Sequence, residues 1–170
     1  VIANAGIAGG GPGQETDAPT TDMLFAVNIG GVLNTVQPAL QRMRARGTGQ
    51  IAIMSSLASF RGFPGAPAYS ASKAAVRVWG EALRGRHKDE GIAVSVICPG
   101  FVVSRITDAN NFSMPLLMTA DRAARIIRRG LAHNRGRIAF PWPMYFFSWL
   151  LGVLPPFMGD RLLRNAPRKE

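Results

Sequence analysis

The 170-residue chain is poor in the residues that build metal sites and disulfides: one cysteine and two histidines. A lone Cys98 excludes an intramolecular disulfide framework. It ends an apolar run before Pro99 and reads as a buried structural thiol rather than a nucleophile. His87 and His133 have no partners at metal-ligand spacing, so no metal is expected and both read as surface residues. Acidic side chains are scarce, ten against twenty basic ones. No G-x-G-x-x-G turn joins a strand to a helix; the glycine run at 9–11 has neither flank. The opening VIANAG has no basic leader, which makes a cytoplasmic setting the expectation.

The net charge of +10 is uneven. Residues 1–119 carry ten basic and seven acidic side chains, whereas 120–170 carry ten and three, so +7 falls in the last third. Such an excess suits nucleic acid or an anionic membrane. The chain has neither an aromatic RNA-recognition motif nor a helix-turn-helix-like pair, so no nucleic-acid partner is expected. Arginine-rich helix ends, as in QRMRAR at 41–46, complement the helix dipole without any partner. The hydrophobic content of 47% is enough for the core of one domain.

Apolar runs at 1–3, 49–55, 92–98 and 137–140 alternate with helical patterns at about 22–46, 68–88 and 120–133. That alternation predicts an α/β fold with a parallel sheet. Asp22 is the expected cap of the first helix and Thr119 of the last, with Asp121 in its first turn. Asn28 and Gly30-Gly31 interrupt the first helix, where each glycine costs up to about 1 kcal/mol. A local rule broken in one place often marks a site. Ala71, Ala75, Val78, Trp79 and Ala82 make a second apolar stripe on the middle helix, for the core or for a second subunit.

The chemistry concentrates in SLASFRGFPGAPAYSASK, residues 56–73. Tyr69 and Lys73, four apart on a helix, share one face. A lysine cation near a phenol favours the phenolate and prepares the tyrosine for acid–base work. Ser56 is placed to donate to a carbonyl oxygen as charge develops on it.

A serine pair closing an apolar strand, thirteen residues from Ser56 to Tyr69, and the string Tyr69-Ser70-Ala71-Ser72-Lys73 closely resemble the active-site signature of the short-chain dehydrogenase/reductase family. Asn4-Ala5-Gly6, Asn28 and Pro99-Gly100-Phe101-Val102-Val103-Ser104 also resemble family elements, in order, across 1–140. The resemblance implies a Rossmann-like, doubly wound parallel sheet, truncated at the N-terminus to strands four to seven. Residues 1–140 would be the catalytic part of a single domain and 141–170 an extension of it.

It further implies an NAD- or NADP-dependent oxidoreductase moving hydride between nicotinamide and a carbonyl or alcohol. In that family's terms Tyr69 transfers the proton, Lys73 tunes it and grips the ribose, Ser56 orients the oxygen, and Asn28 relays through water. Asn4, Ala5, Gly6, Pro99, Gly100, Val102 and Ser104 would line the cofactor, Ser104 replacing the usual threonine. Residues 105–118 match the substrate loop, where Phe112, Met114, Leu116, Leu117 and Met118 would wall a hydrophobic pocket. A homodimer or homotetramer is the family's expectation.

The apolar stretch 144–154 is about half of what spans a bilayer. It is fenced by prolines and followed by Arg161, Arg164, Arg168 and Lys169, so peripheral membrane contact through 144–158 stands beside packing in the core or at an interface. The rival to an enzyme is a non-catalytic, membrane-peripheral or scaffolding remnant of the same fold.

At ~30 residues per βαβ unit, about 80 residues would carry the glycine-rich turn that these 170 lack. The 170 residues alone are expected to bind NADH or NADPH poorly and to turn over little. Calorimetric titration checks this; stoichiometric binding would overturn it.

Overall fold

The computed structural model describes residues 1–9, 17–108 and 112–164. Gly10 and Gly11 of the glycine run, residues 109–111 of the 105–118 segment, and Arg168 and Lys169 lie outside the described residues. Strands β1 (Ile2–Ala3), β2 (Gly49–Met54), β3 (Ile92–Pro99) and β4 (Arg137–Phe140) form one parallel sheet in the order β1-β2-β3-β4. Register is set by pairs such as Ala3 with Ile53, Ile53 with Val96, and Cys98 with Ala139. Parallel strands need crossovers. These are α1 (Ala18–Phe25) and α2 (Gly31–Arg46), then α3 (Pro67–Arg86), then α4 (Arg105–Asp108) and α5 (Ala120–Ala132). Helices α6 (Trp142–Val153) and α7 (Pro156–Leu163) follow the last strand.

Because side chains alternate across a strand, β2, β3 and β4 each feed more than one core cluster, while β1 adds Ala3 to one. Ile51, Ile53, Ile92 and Val94 meet Val32, Val36 and Met43 of α2 and Val76 of α3. On the opposite face Ala52, Ile97, Ile138 and Phe140 meet Ala123 of α5. A third cluster joins Leu57, Val96 and Cys98 to Met144 and Tyr145 of α6. Helices on both faces make the sheet doubly wound, as expected. Cys98 is fully buried, and burial pushes its thiol up to about 11.

The first helical stretch differs from expectation in two ways. Its cap is Asp17, whose Oδ1 accepts from the Thr20 amide at 2.8 Å, and Asp22 lies inside the helix. The string Asp17-Ala18-Pro19 supplies both a cap and a proline preset for a first turn, so it outcompetes Asp22. The helix is also interrupted by a π turn, Ala26–Gly30, centred on Asn28. By length and composition the run Ala18–Arg46 could cross a membrane; Leu24, Val32 and Val36 turn into the core, while most of its apolar window is not buried. Thr119 caps α5 as expected, accepting from the Arg122 amide.

Three surface assignments change. His87 is buried, its Nδ1 3.2 Å from the Glu90 carboxylate that Arg44 also holds at 2.7 Å. The stripe on α3 divides: Trp79 packs on the core while Ala71, Ala75, Val78 and Ala82 face outward. Met118 is core, bridged to Val102, while Leu116 and Leu117 are exposed; these three do not form one wall. The pairing of Val102 with Met118 pulls Met118 inward and leaves its neighbours on the turn before it.

Helix α3 lies against the sheet through Gly80. A Cβ there would stand 2.7 Å from Val96 Cγ2 and 3.0 Å from Ile53 Cδ1. Gly80→Val is expected to lower stability by about 1–3 kcal/mol by overpacking, read as a reduced urea midpoint with an unchanged slope.

Candidate active site

Strand β2 ends at Met54 and passes through Ser55 to Ser56 at the carboxyl edge of the sheet, where open α/β sheets place ligands. The strand end and α3 are tied to each other twice. Ser55 Oγ donates to the Lys73 carbonyl at 2.8 Å, and Lys73 Nζ donates to the Met54 carbonyl at 3.1 Å. The Ser55 amide also donates to Ile97 at 2.8 Å, which extends the β2–β3 pairing by one residue. Tyr69 is half-buried one turn before Lys73, and Nζ stands 5.8 Å from the centre of its ring.

Ser56 is half-buried, with an extended backbone, and caps the short 3-10 turn Leu57–Ser59. Its Oγ accepts from the Ala58 amide at 3.1 Å. A hydroxyl has one donor and two acceptor lone pairs, so this bond does not use its proton.

Asn28 is fully buried, and its side chain clamps the segment after β1. Oδ1 accepts from the Ile7 amide at 2.8 Å, and Nδ2 donates to the Ile7 carbonyl at 2.9 Å and to Ser72 Oγ at 3.0 Å. Ser72 Oγ in turn donates to the Tyr69 carbonyl at 2.8 Å. The π turn gives the side chain this aim: one extra residue re-phases the helix where Asn28 must face the sheet end. Gly6 completes the cluster. A Cβ on Gly6 would lie 2.9 Å from Lys73 Nζ and 3.3 Å from Asn28 Oδ1, so the backbone passes where no side chain fits.

Lys73 is 3% exposed, and burial lowers its pKa from 10.5 to about 8. No nearby carboxylate contributes to that value; desolvation is its cause. From its sequence setting Lys73 reads as a fixed cation beside the phenol. In the folded protein it is a titrating amine near neutral pH.

Asn28, Gly6, Tyr69 and Lys73 therefore share one cluster. Asn4 and Ala5 lie exposed between β1 and Gly6. Pro99 ends β3 and Gly100 and Val102 follow it, with the Gly100 amide donating to the Phe140 carbonyl at 2.7 Å. Ser104 is exposed, and its amide donates to Thr107 Oγ1 at 2.8 Å. Three polar residues of this region carry structural weight that sequence reasoning did not assign: Ser55, Ser72 and Thr107, all buried. Ser72 has a readable signal, since it falls on the i, i+4 row Ala68, Ser72, Val76, Gly80, the buried face of α3. Among the described residues no three His, Cys, Asp or Glu side chains group as a metal site.

The model of the short chain dehydrogenase family matches residues 1–114. The chain belongs to the short-chain dehydrogenase family. An uncharacterized oxidoreductase from Myxococcus xanthus is 35% identical over 165 residues, which are 97% of this chain and 65% of that protein. The apo form of LigD from Sphingobium sp. strain SYK-6 is 30% identical with a TM-score of 0.67, covering 91% of this chain and 63% of LigD. ElxO with NADP bound is 27% identical with a TM-score of 0.68, over 81% of this chain and 64% of ElxO. The chain thus spans slightly less than two thirds of these short-chain dehydrogenase relatives.

The burial of Lys73 fixes the sign of a pH effect. The unfolded chain holds this proton up to about 10.5 and the folded one only to about 8, so stability rises with pH across that window. The gap corresponds to about 3 kcal/mol. Lys73→Met is expected to be the more stable protein at pH 7, by up to about 3 kcal/mol. Its advantage should disappear by pH 10.5. Urea unfolding of both proteins across that range tests this; an advantage that does not change with pH would refute it.

Proposed function

We propose that this chain carries the proton-transfer and nicotinamide-side half of an NAD(P)-dependent oxidoreductase acting on a hydrophobic carbonyl or alcohol. One observation carries the reading: an ammonium group is held 3% exposed beside Tyr69, on a backbone carbonyl, with no carboxylate among the described residues to compensate it. A buried amine with a perturbed pKa at the carboxyl end of a parallel sheet is a costly arrangement that structure alone does not require.

In the reduction direction, Tyr69 gives its phenolic proton to the carbonyl oxygen of the substrate. Ser56, whose proton its bond to Ala58 leaves unused, donates to the same oxygen and orients it. Lys73 has three N–H donors, and the Met54 carbonyl takes one. The others suit the ribose hydroxyls of a dinucleotide and a proton path back to Tyr69. Both amide protons of Asn28 are engaged, on Ile7 and Ser72. Its side chain is therefore a brace, and a relay water would have to be held by its main-chain carbonyl.

The fit to a dinucleotide rests on the Lys73 N–H groups that Met54 does not take, beside a Gly6 backbone with no side chain of its own, and on the turn from Gly100 to Ser104 beyond β3. When bound, the nicotinamide supplies or accepts the hydride. A homo-oligomer through the outward row Ala71, Ala75, Val78 and Ala82 belongs to the same reading. The outward aromatic residues of α6 favour a second reading, a membrane-peripheral protein without catalysis.

The test uses the protein expressed from its complete gene, with NADPH and NADH consumption followed over a panel of apolar ketones. Tyr69→Phe is expected to lower kcat by about 10²–10⁴-fold while leaving cofactor affinity unchanged. A wild-type protein that oxidises neither cofactor with any ketone, indistinguishable from Tyr69→Phe, would favour the non-catalytic reading.

A further inference from the structure

Helix α6 has two unlike sides. Met144 and Tyr145 pack against the cluster of Leu57, Val96 and Cys98, and Ser148 and Leu151 are buried. On the outer side Trp142 stacks on Phe146 at 5.5 Å, and Phe146 meets Trp149 at 6.2 Å. Trp142 is 69% exposed and Phe157, on α7, 73%. Phe147, Leu150 and Val153 of α6 and Met158 and Leu162 of α7 are exposed as well, so both helices carry apolar side chains into solvent. A monomer rarely leaves so many large apolar side chains together in water.

The face is held rigidly. Arg61 reaches under the turn between the two helices and donates to the carbonyls of Leu154 and Pro156, at 3.4 and 3.3 Å, and to Asp160 at 3.1 Å. At Gly152 a Cβ would lie 2.6 Å from the Phe60 carbonyl, so α6 rests directly on that backbone. Arg61 and Phe60 continue the segment that starts at Ser56, so one stretch of chain links the candidate active site to the two helices.

Charge selects the occupant. Phe157, Arg161 and Arg164 recur at i, i+4, i+7, so cations rise from the same row as the most exposed aromatic. Asp160 is neutralised by Arg61. Two copies joined through this face would each bring Arg161 and Arg164 to the contact, with the nearby Asp160 already paired to Arg61. Anionic headgroups instead match both the aromatic row and the cations. Helix α6, 12 residues and so about 18 Å long, is too short to cross a bilayer core of about 30 Å. It suits an in-plane position.

We propose that the outer face of α6 and α7 docks this protein, flat, into the interface of an anionic phospholipid membrane. The inference does not depend on catalysis or on bound cofactor. The test is co-sedimentation with vesicles of phosphatidylcholine containing phosphatidylglycerol and with vesicles of phosphatidylcholine alone. The wild-type protein is expected to pellet with the anionic vesicles and to be released by salt. Arg161→Ala/Arg164→Ala, at exposed positions that leave the fold intact, should weaken binding about tenfold. Phe146→Ser/Phe147→Ser/Trp149→Ser should abolish it, with an unchanged far-ultraviolet circular dichroism spectrum. Brominated acyl chains should quench Trp142 and Trp149 and spare the packed Trp79.

Protein that stays in the supernatant with every vesicle overturns the proposal, as does an arginine variant that binds like wild type. A non-binding wild-type dimer that the aromatic substitutions dissociate would make the face a contact between copies instead.

Discussion

The arrangement around the candidate site depends on keeping one ammonium group out of water. Lys73 is buried between α3, the end of β2 and the backbone at Gly6, and its near partner is a carbonyl rather than a carboxylate. A partner carboxylate would stabilise the charge and hold the proton; a carbonyl leaves the amine titrating at about 8. The surrounding structure must therefore offset the desolvation. The bond from Lys73 Nζ to the Met54 carbonyl does part of this, and Ser55 ties the same strand end to the Lys73 backbone. They also lock helix and strand in the register that presents Tyr69 and Ser56 at the same edge.

The second support is the π turn. An uninterrupted α-helix over the same residues would be the commoner solution. One residue more per turn sends Asn28 inward, where its amide holds the strand end at Ile7 and the helix α3 at Ser72. The clamp brings Gly6 against Lys73. Mid-helix irregularity, a glycine with no room for a Cβ and a buried lysine are thus three faces of one packing problem. Each is locally unfavourable and is stabilised by the other two.

The periphery obeys a different logic. Helix α6 anchors one side on the core and carries its aromatic row outward, with Arg61 pinning the turn that follows. The same chain segment that leaves the sheet at Ser56 thus ends under an apolar surface.

Much of the fold was legible in the sequence. Apolar runs three to seven residues long, separated by helical periods, mark the strands of a parallel sheet, and local patterns suffice to find them. Thr119 before α5 and the row of Tyr69 and Lys73 were equally local. What the sequence hid was long-range competition. Asp17 displaced Asp22 as cap because Pro19 made its turn the better start, and His87 went inside because Glu90 and Arg44 met it there. Trp79 and Val78, adjacent in sequence, parted by helical phase alone. The residue types of the site, and so its family, follow from the sequence by itself. Whether Lys73 is charged, which atoms of Asn28 are spent and where the aromatic face points were decided only by tertiary structure. Desolvation and hydrogen-bond partners belong to the space around a residue, and distant segments supply that space.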